Sequence, residues 1–337
     1  MTQLGNIQEL RDKFGRVHNY LRISLIEKCN LRCSYCMPAE GIPLSPKAHL
    51  MSAEEVLEFA RIFVGLGVNK IRLTGGEPLL RKDIGTILEG LSEMPVDLSI
   101  TTNGLLMDRH VDNFQKLGIK KINFSLDTLK EERFQELTRR TGFQKTLDNF
   151  ELLHDKDFDL KINTVLIKGI NDDELVDLVN MTKDYKVSVR FIEFMPFDGN
   201  SWDRSKMVSE KEVLDQLGAH FGAERIASLP NEDNFTARKF KIAGYKGDFG
   251  IISSVTNPFC GSCNRIRLTA NGRIKNCLFS NKETDLLAAM RAGENVENLI
   301  LESILNKKAV RAGMDSMEKL SDPALHSDNR SMIAIGG

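Results

Sequence analysis

The sequence predicts an α/β protein built as an incomplete, TIM-like (β/α)6 barrel followed by a small C-terminal α+β cap. Two observations predict the barrel. Six short runs rich in β-branched residues alternate with helix-period segments through roughly the first two hundred residues, the pattern of a parallel sheet with helical crossovers. Those runs also carry polar residues at alternate positions, where parallel strands buried on both faces read as continuously apolar. A third observation predicts the cap: after Trp202 the pattern changes to short strands and turns that read as antiparallel.

The strands are expected at 20–26, 69–74, 97–102, 120–126, 160–166 and 187–193. Helices follow at 52–66, 83–93, 108–117, 130–139, 144–154 and 172–185. The first opens on Ser52 and Glu55, a capping-box pair, and closes near Gly67. Along the strands, Arg22 and Ser24, Arg72 and Thr74, Ser99, Thr101 and Asn103, Asn123, Ser125 and Asp127, and Lys161 and Asn163 each share one face. With helices on the other face, these residues line a polar, cation-rich lumen; a sheet with one solvated face is the alternative. Strand ends run into Gly75-Gly76-Glu77-Pro78, Thr102-Asn103-Gly104 and Asp127, at the end of a barrel where ligands bind. Gly75 and Gly76 allow close backbone approach, and Glu77 suits an ammonium group, though the same four residues also suit a plain βα turn.

Beyond Trp202, a helix over 209–221 opens on a second capping box, Ser209 and Glu212. Strands are expected at 236–242, 248–253 and 264–276, the last broken by Asn271-Gly272 as a two-residue hairpin turn. Helices near 283–292 and 295–307 precede an irregular tail ending Gly336-Gly337. A boundary is placed near 205, giving a barrel over 1–205 and a cap over 206–337.

The 337 residues carry a net charge of −1, so no bulk basicity points to nucleic acid or an anionic membrane. Any anion site must be built from a few placed cations. No apolar run approaches the roughly eighteen residues of a membrane span, and Met1 to His18 lacks a secretory h-region. A cytoplasmic location is expected. The six cysteines fall into two groups, Cys29, Cys33 and Cys36, then Cys260, Cys263 and Cys277. Disulfides would leave one thiol over in each group, so two metal centres fit better. Three thiolates hold three irons of a [4Fe–4S] cluster and leave the fourth iron open. Zinc is the alternative, but it requires a fourth protein ligand. Arg265 and Arg267 share a strand face beside the second group, as a phosphorylated ligand would need.

The C-x3-C-x2-C spacing, Tyr35 before its third cysteine, and the Gly75–Pro78 turn resemble the radical S-adenosylmethionine superfamily. Cys36-Met37-Pro38, Arg265-Ile266-Arg267, the second cysteine group and the terminal glycine pair narrow the resemblance to its GTP 3′,8-cyclase family, over nearly the whole chain. The resemblance implies two [4Fe–4S] clusters, with S-adenosylmethionine on the first and the guanine of GTP facing the second. It implies S-adenosylmethionine contacts at Tyr35, Gly76, Ser125 and Met195. It implies GTP contacts at Arg22, Arg72, Thr101, Lys161, Arg265, Ile266 and Arg267, with Thr101 chosen over Thr102 because it shares a face with Ser99. The cofactors carry the chemistry, so no side chain is named as catalytic. A reductase or flavodoxin-type electron donor, a functional link to cyclic pyranopterin monophosphate synthase, a homodimer and a tail reaching the active site are further implications. The rivals are a peptide- or sulfatase-maturing radical enzyme, which usually carries more C-terminal cysteines, and a zinc-stabilised nucleotide-binding module.

Overall fold

The computed structural model describes residues 9–230, 233–325 and 329–337; the reading of the N-terminal segment falls outside the described residues for positions 1–8. The six expected barrel strands form as β1 (Tyr20–Ser24), β2 (Lys70–Thr74), β3 (Asp97–Thr102), β4 (Lys121–Ser125), β5 (Asp159–Leu166) and β6 (Ser188–Glu193). Each is parallel to the next. Between and after them run α1 (Ala53–Gly65), α2 (Ile84–Ser92), α3 (Val111–Lys116), α4 (Glu131–Thr138), α5 (Phe143–Asp155) and α6 (Leu175–Asp184).

The alternation of the strands decides which way they face. Leu21 and Ile23, Ile71 and Leu73, Ile122 and Phe124, Leu160 and Ile162, and Val189 and Phe191 all join one apolar core with Val56, Phe59 and Phe63 of α1 and their counterparts on later helices. Each such side chain contributes roughly 1.5–3 kcal/mol on burial. A one-residue slip would turn this set into the lumen, so the register is strongly specified. The α1 capping box forms as read: Ser52 Oγ accepts from the Glu55 amide at 3.2 Å, and Glu55 Oε2 accepts from the Ser52 amide at 2.8 Å. Such a cap is worth about 1 kcal/mol.

The part after residue 205, expected as a cap, is woven into the same sheet at both ends. It supplies α7 (Glu210–Phe221), then β7 (Ile226–Ser228), β8 (Arg238–Ile242), β9 (Asp248–Ile252), β10 (Arg265–Leu268), β11 (Arg273–Lys275) and β12 (Thr284–Asp285). The sheet order is β12-β11-β10-β1-β2-β3-β4-β5-β6-β9-β8-β7. The antiparallel reading of this part holds for β8 with β9 and β10 with β11, but β9 runs parallel to β6 and β10 parallel to β1. Local periodicity cannot show such pairings, because the partner strands lie far away in sequence. The expected two-residue turn at Asn271-Gly272 is a three-residue one: Thr269 N donates to Arg273 O at 2.9 Å, and Gly272 takes the left-handed position at φ 69°.

The Ser209–Glu212 capping box also forms. The last helices are α8 (Leu286–Arg291), α9 (Val296–Leu305), α10 (Met317–Ser321) and α11 (Met332–Ile335). The tail is therefore not irregular: Ile333, Ala334 and Ile335 of α11 are buried. No helix among the described residues is long and apolar enough to cross a membrane.

Candidate active site

The first three cysteines sit on the loop that leaves β1, and the glycine pair after β2 explains how that loop is held. Gly76 N donates to Ile26 O at 2.7 Å and Glu77 N to Lys28 O at 2.9 Å. A Cβ on Gly76 would lie 2.2 Å from Lys28 O, and one on Gly75 would lie 2.7 Å from Ile26 O. The close approach expected at these glycines is thus made by the chain's own cysteine loop. Glu77 is buried and held by the protein itself, accepting from Leu79 N, Thr102 Oγ1 and Asn103 N. Burial raises its pKa to about 7.

All six cysteines are free thiols, and all line one cavity of about 420 Å³. Around the first group burial dominates. It raises Cys29 to about 11, Cys36 to about 12 and Cys33 well above its ordinary value, with Asp127 adding to the last two. Three thiols in such a pocket are held as thiolates only by a cation, and three sulfurs on one short loop fit an iron–sulfur cluster. Tyr35 Oη donates to Asp127 Oδ2 at 2.7 Å, and Asp127 Oδ1 accepts from Val165 N, so the aromatic ring is anchored through its hydroxyl. Asn200 ties the carbonyls of Tyr35 and Met195 together.

In the second group Cys263 has the opposite electrostatics. Burial disfavours the Cys263 thiolate, but Arg265 and Lys307 outweigh it and bring the thiol down to about 6. Arg265 Nη2 lies 3.5 Å from Cys263 Sγ, and its guanidinium stacks 4.5 Å from the Phe259 ring. Cys277 is raised by burial.

Between the two groups lies a row of cations fixed by strand register. Lys275 faces Arg267 across β11 and β10, Arg267 faces Arg22 across β10 and β1, and Arg22 faces Arg72 across β1 and β2. Lys275 has the Glu283 carboxylate at 3.7 Å, while the three arginines face one another, and like charges directly opposite are destabilising. Burial, then Arg267, holds the Arg22 pKa well below its usual value. Burial and then Arg190 bring Lys161 down to about 8. Tyr20 Oη, Arg22 Nε, Ser24 Oγ, Thr101 Oγ1 and Asn163 Oδ1 are buried with no hydrogen-bond partner. Unpaired buried polar atoms are costly, and four of these residues, Tyr20, Arg22, Thr101 and Asn163, line the cavity, which fits a polar, anionic ligand.

The tail occupies the same space. Arg267 Nη1 donates to Gly336 O, and Met332, Ile333 and Gly337 line the cavity. A Cβ on Gly336 would lie 2.4 Å from Thr74 Oγ1.

Arg22, Tyr35, Arg72, Gly76, Thr101, Ser125, Lys161, Met195, Arg265 and Arg267 therefore all line the cavity with the cysteines. Ile266 does not: its side chain is in the apolar core, on the opposite face of β10 from its arginine neighbours. Several lining residues escaped the sequence reading. Arg190 sits opposite Asn163 in the β5–β6 ladder, and the same alternation would have found it. Lys275 is buried on the short strand β11, where two or three residues give no period to read. Glu193 accepts from Val255 N and Thr256 N and so fixes the approach to Cys260, a pairing no local signal reveals.

With this geometry in hand, the comparisons are specific. Residues 23–182 match the radical SAM superfamily, and residues 187–312 match the family described as Molybdenum Cofactor Synthesis C. The chain is 46% identical over 335 residues to "Molybdenum cofactor biosynthesis protein 1" of Mus musculus, covering 97% of this chain but 51% of that protein. It is 44% identical to "GTP 3′,8-cyclase, mitochondrial" of Arabidopsis thaliana, covering 97% of this chain and 83% of the relative. The chain thus spans about half the length of the first of these relatives. In fold it matches the crystal structure of Streptococcus suis SuiB with a TM-score of 0.60 at 17% identity, over 86% of this chain and 67% of that one. A radical SAM α/β fold, a cysteine loop fastened to the end of β2, and a relative matched over most of its length agree, and this chain belongs to the radical SAM superfamily, in the GTP 3′,8-cyclase family.

Proposed function

We propose that the protein converts GTP to (8S)-3′,8-cyclo-7,8-dihydroguanosine 5′-triphosphate, the first step of molybdenum cofactor biosynthesis. The observation that carries this reading is the single cavity lined by two cysteine triads with the Lys275–Arg267–Arg22–Arg72 row between them. Cys29, Cys33 and Cys36 would hold one [4Fe–4S] cluster, and Cys260, Cys263 and Cys277 a second. When bound, the first cluster with S-adenosylmethionine supplies the hydrogen-abstracting radical, directed at the ribose C3′.

The chain's own residues bind, orient and exclude water. Tyr35, Gly76, Ser125 and Met195 would form the S-adenosylmethionine wall, and Glu77 would keep about one acceptor position beyond its three internal hydrogen bonds for the amino group. Arg22, Arg72, Lys161, Arg265 and Arg267 would neutralise the triphosphate, Thr101 Oγ1 would donate to the nucleotide, and Ile266 would contribute backbone alone. On this reading residues 1–205 present S-adenosylmethionine and part of the triphosphate site, and residues 206–337 add the second cluster with Arg265 and Arg267. The electron donor would be a reductase or flavodoxin-type protein and the product would pass to cyclic pyranopterin monophosphate synthase. A homodimer, a cytoplasmic location and no nucleic-acid or membrane partner complete the proposal.

The test is anaerobic reconstitution followed by incubation with dithionite, S-adenosylmethionine and either GTP or ATP. About eight irons per chain are expected, with 5′-deoxyadenosine and cyclised nucleotide formed from GTP. A colourless protein holding two zincs would overturn the radical reading, and equal turnover of ATP would overturn guanine recognition.

Within this site Arg267→Ala is expected to weaken GTP binding about ten- to a hundredfold, the scale of a lost charge-assisted hydrogen bond in a buried site. Iron content should not change. Calorimetric titration against GTP checks this, and unaltered affinity would remove Arg267 from the triphosphate site.

A further inference from the structure

Lys307, just past the end of α9, is almost fully buried, at 2% exposure, and its ammonium faces the second cysteine triad. It lies 3.0 Å from Arg265 O, 3.4 Å from His18 Nδ1 and 3.5 Å from Cys263 Sγ. An ammonium has three donors, and here each has one acceptor.

The histidine is fixed in turn. Its Nε2 lies 3.1 Å from Asp12 Oδ2, so Nε2 carries the hydrogen and Nδ1 presents its lone pair to Lys307. Asp12 is held by the amides of Phe14 and Arg16 and by Arg16 Nε at 2.6 Å. Arg16 also donates to the carbonyls of Cys260, Lys308 and Ala309, clamping the N-terminal turn onto both the cysteine loop and the Lys307 segment. All of Asp12, His18 and Lys307 are buried. None of them lines the cavity, so substrate contact does not account for them.

The first triad has a different surround. Cys29 Sγ accepts from neutral donors, Leu31 N at 3.4 Å and Asn103 Nδ2 at 3.8 Å; the nearby Arg32 guanidinium is turned to the carbonyls of Cys29 and Leu31, and the carboxyl groups of Glu77 and Asp127 lie near the loop.

We propose that Asp12, His18 and Lys307 form a positioning chain that fixes a cationic N–H donor on the Cys263 sulfur and so raises the reduction potential of the second cluster above that of the first. This rests on the reading that Cys260, Cys263 and Cys277 hold a cluster. Reduction adds negative charge to a cluster, and a donor cation on a ligating sulfur stabilises the added charge. The chain therefore separates the two clusters in potential, leaving the stronger reductant where S-adenosylmethionine binds.

The experiment uses the full chain with Cys29, Cys33 and Cys36 changed to alanine, so that only the second cluster is loaded and titrated by EPR-monitored potentiometry. Lys307→Met is expected to lower its midpoint by at least about 59 mV, a tenfold change in the reduced-to-oxidised ratio. Lys307→Arg should restore most of that shift, and His18→Leu, which frees the ammonium from its anchor, should give a smaller shift of the same sign. Unchanged midpoints in iron-loaded variants would overturn the proposal. Loss of iron from all three variants while the parent loads normally would make the chain a scaffold and overturn the tuning role. Failure of the parent to load iron would instead overturn the second-cluster reading.

Discussion

Cys33→Ala is expected to stop 5′-deoxyadenosine formation, a loss of at least about a thousandfold, or about 4 kcal/mol of barrier. Cys33 is the middle thiol of its loop, and burial and then Asp127 both oppose its ionisation. A cation must overcome that opposition, so the ligand set is bistable: loaded and anionic, or empty and protonated. Removing one sulfur from three leaves an incomplete cradle whose remaining thiols return to the protonated state. Iron should fall to about half, with the second cluster still assembled, since its Cys263 thiolate is supported separately by Arg265 and Lys307. Iron and sulfide analysis with a 5′-deoxyadenosine assay checks both parts. Full iron content or retained cleavage would show that another residue completes the site.

Removing Gly336 and Gly337 is expected to reduce cyclised product at least about a hundredfold, about 3 kcal/mol, while both clusters still assemble. The tail is built into the cavity: Ile333, Ala334 and Ile335 are buried, and the Gly336 carbonyl caps the Arg267 guanidinium. Gly336 adopts φ 81°, and its missing Cβ leaves room for Thr74 and Ser24. Gly336→Ala would therefore combine a left-handed strain with a steric clash, and should approach the deletion in effect. The assay separates cyclised nucleotide from 5′-deoxyadenosine. Continued S-adenosylmethionine cleavage without cyclisation would place the tail's role at the nucleotide. Wild-type product formation would show the tail to be a bystander.

The sequence is most informative where a local period carries the message. Strand alternation alone puts Arg22, Arg72, Thr101 and Lys161 on the lumen face of their strands, and all four line the cavity. The two capping boxes, which are contacts across three residues, formed as read. What failed was what depends on distant partners. The parallel pairing of β10 with β1 joins residues at opposite ends of the chain, and neither strand bears a mark of the other. The same distance hid Asp12, His18 and Lys307, which look like ordinary surface polar residues until the fold buries them together. Ile266 shows the limit of transferring a motif whole: between two lumen arginines, it must point the other way.

The place of β1 in the sheet bears on how the protein is made. Its neighbours are β2 on one side and β10 on the other, so one edge of β1 has no partner until Arg265–Leu268 has been synthesised. The opposite edge, β6, waits for Asp248–Ile252 in the same way. A nascent chain of barrel strands alone carries two open edges, each a template for pairing with another molecule. Closing them requires contacts of long sequence separation, which form slowly. The two parts of the chain therefore complete one sheet: the barrel strands are finished by the same late strands that bring in the second set of cysteines.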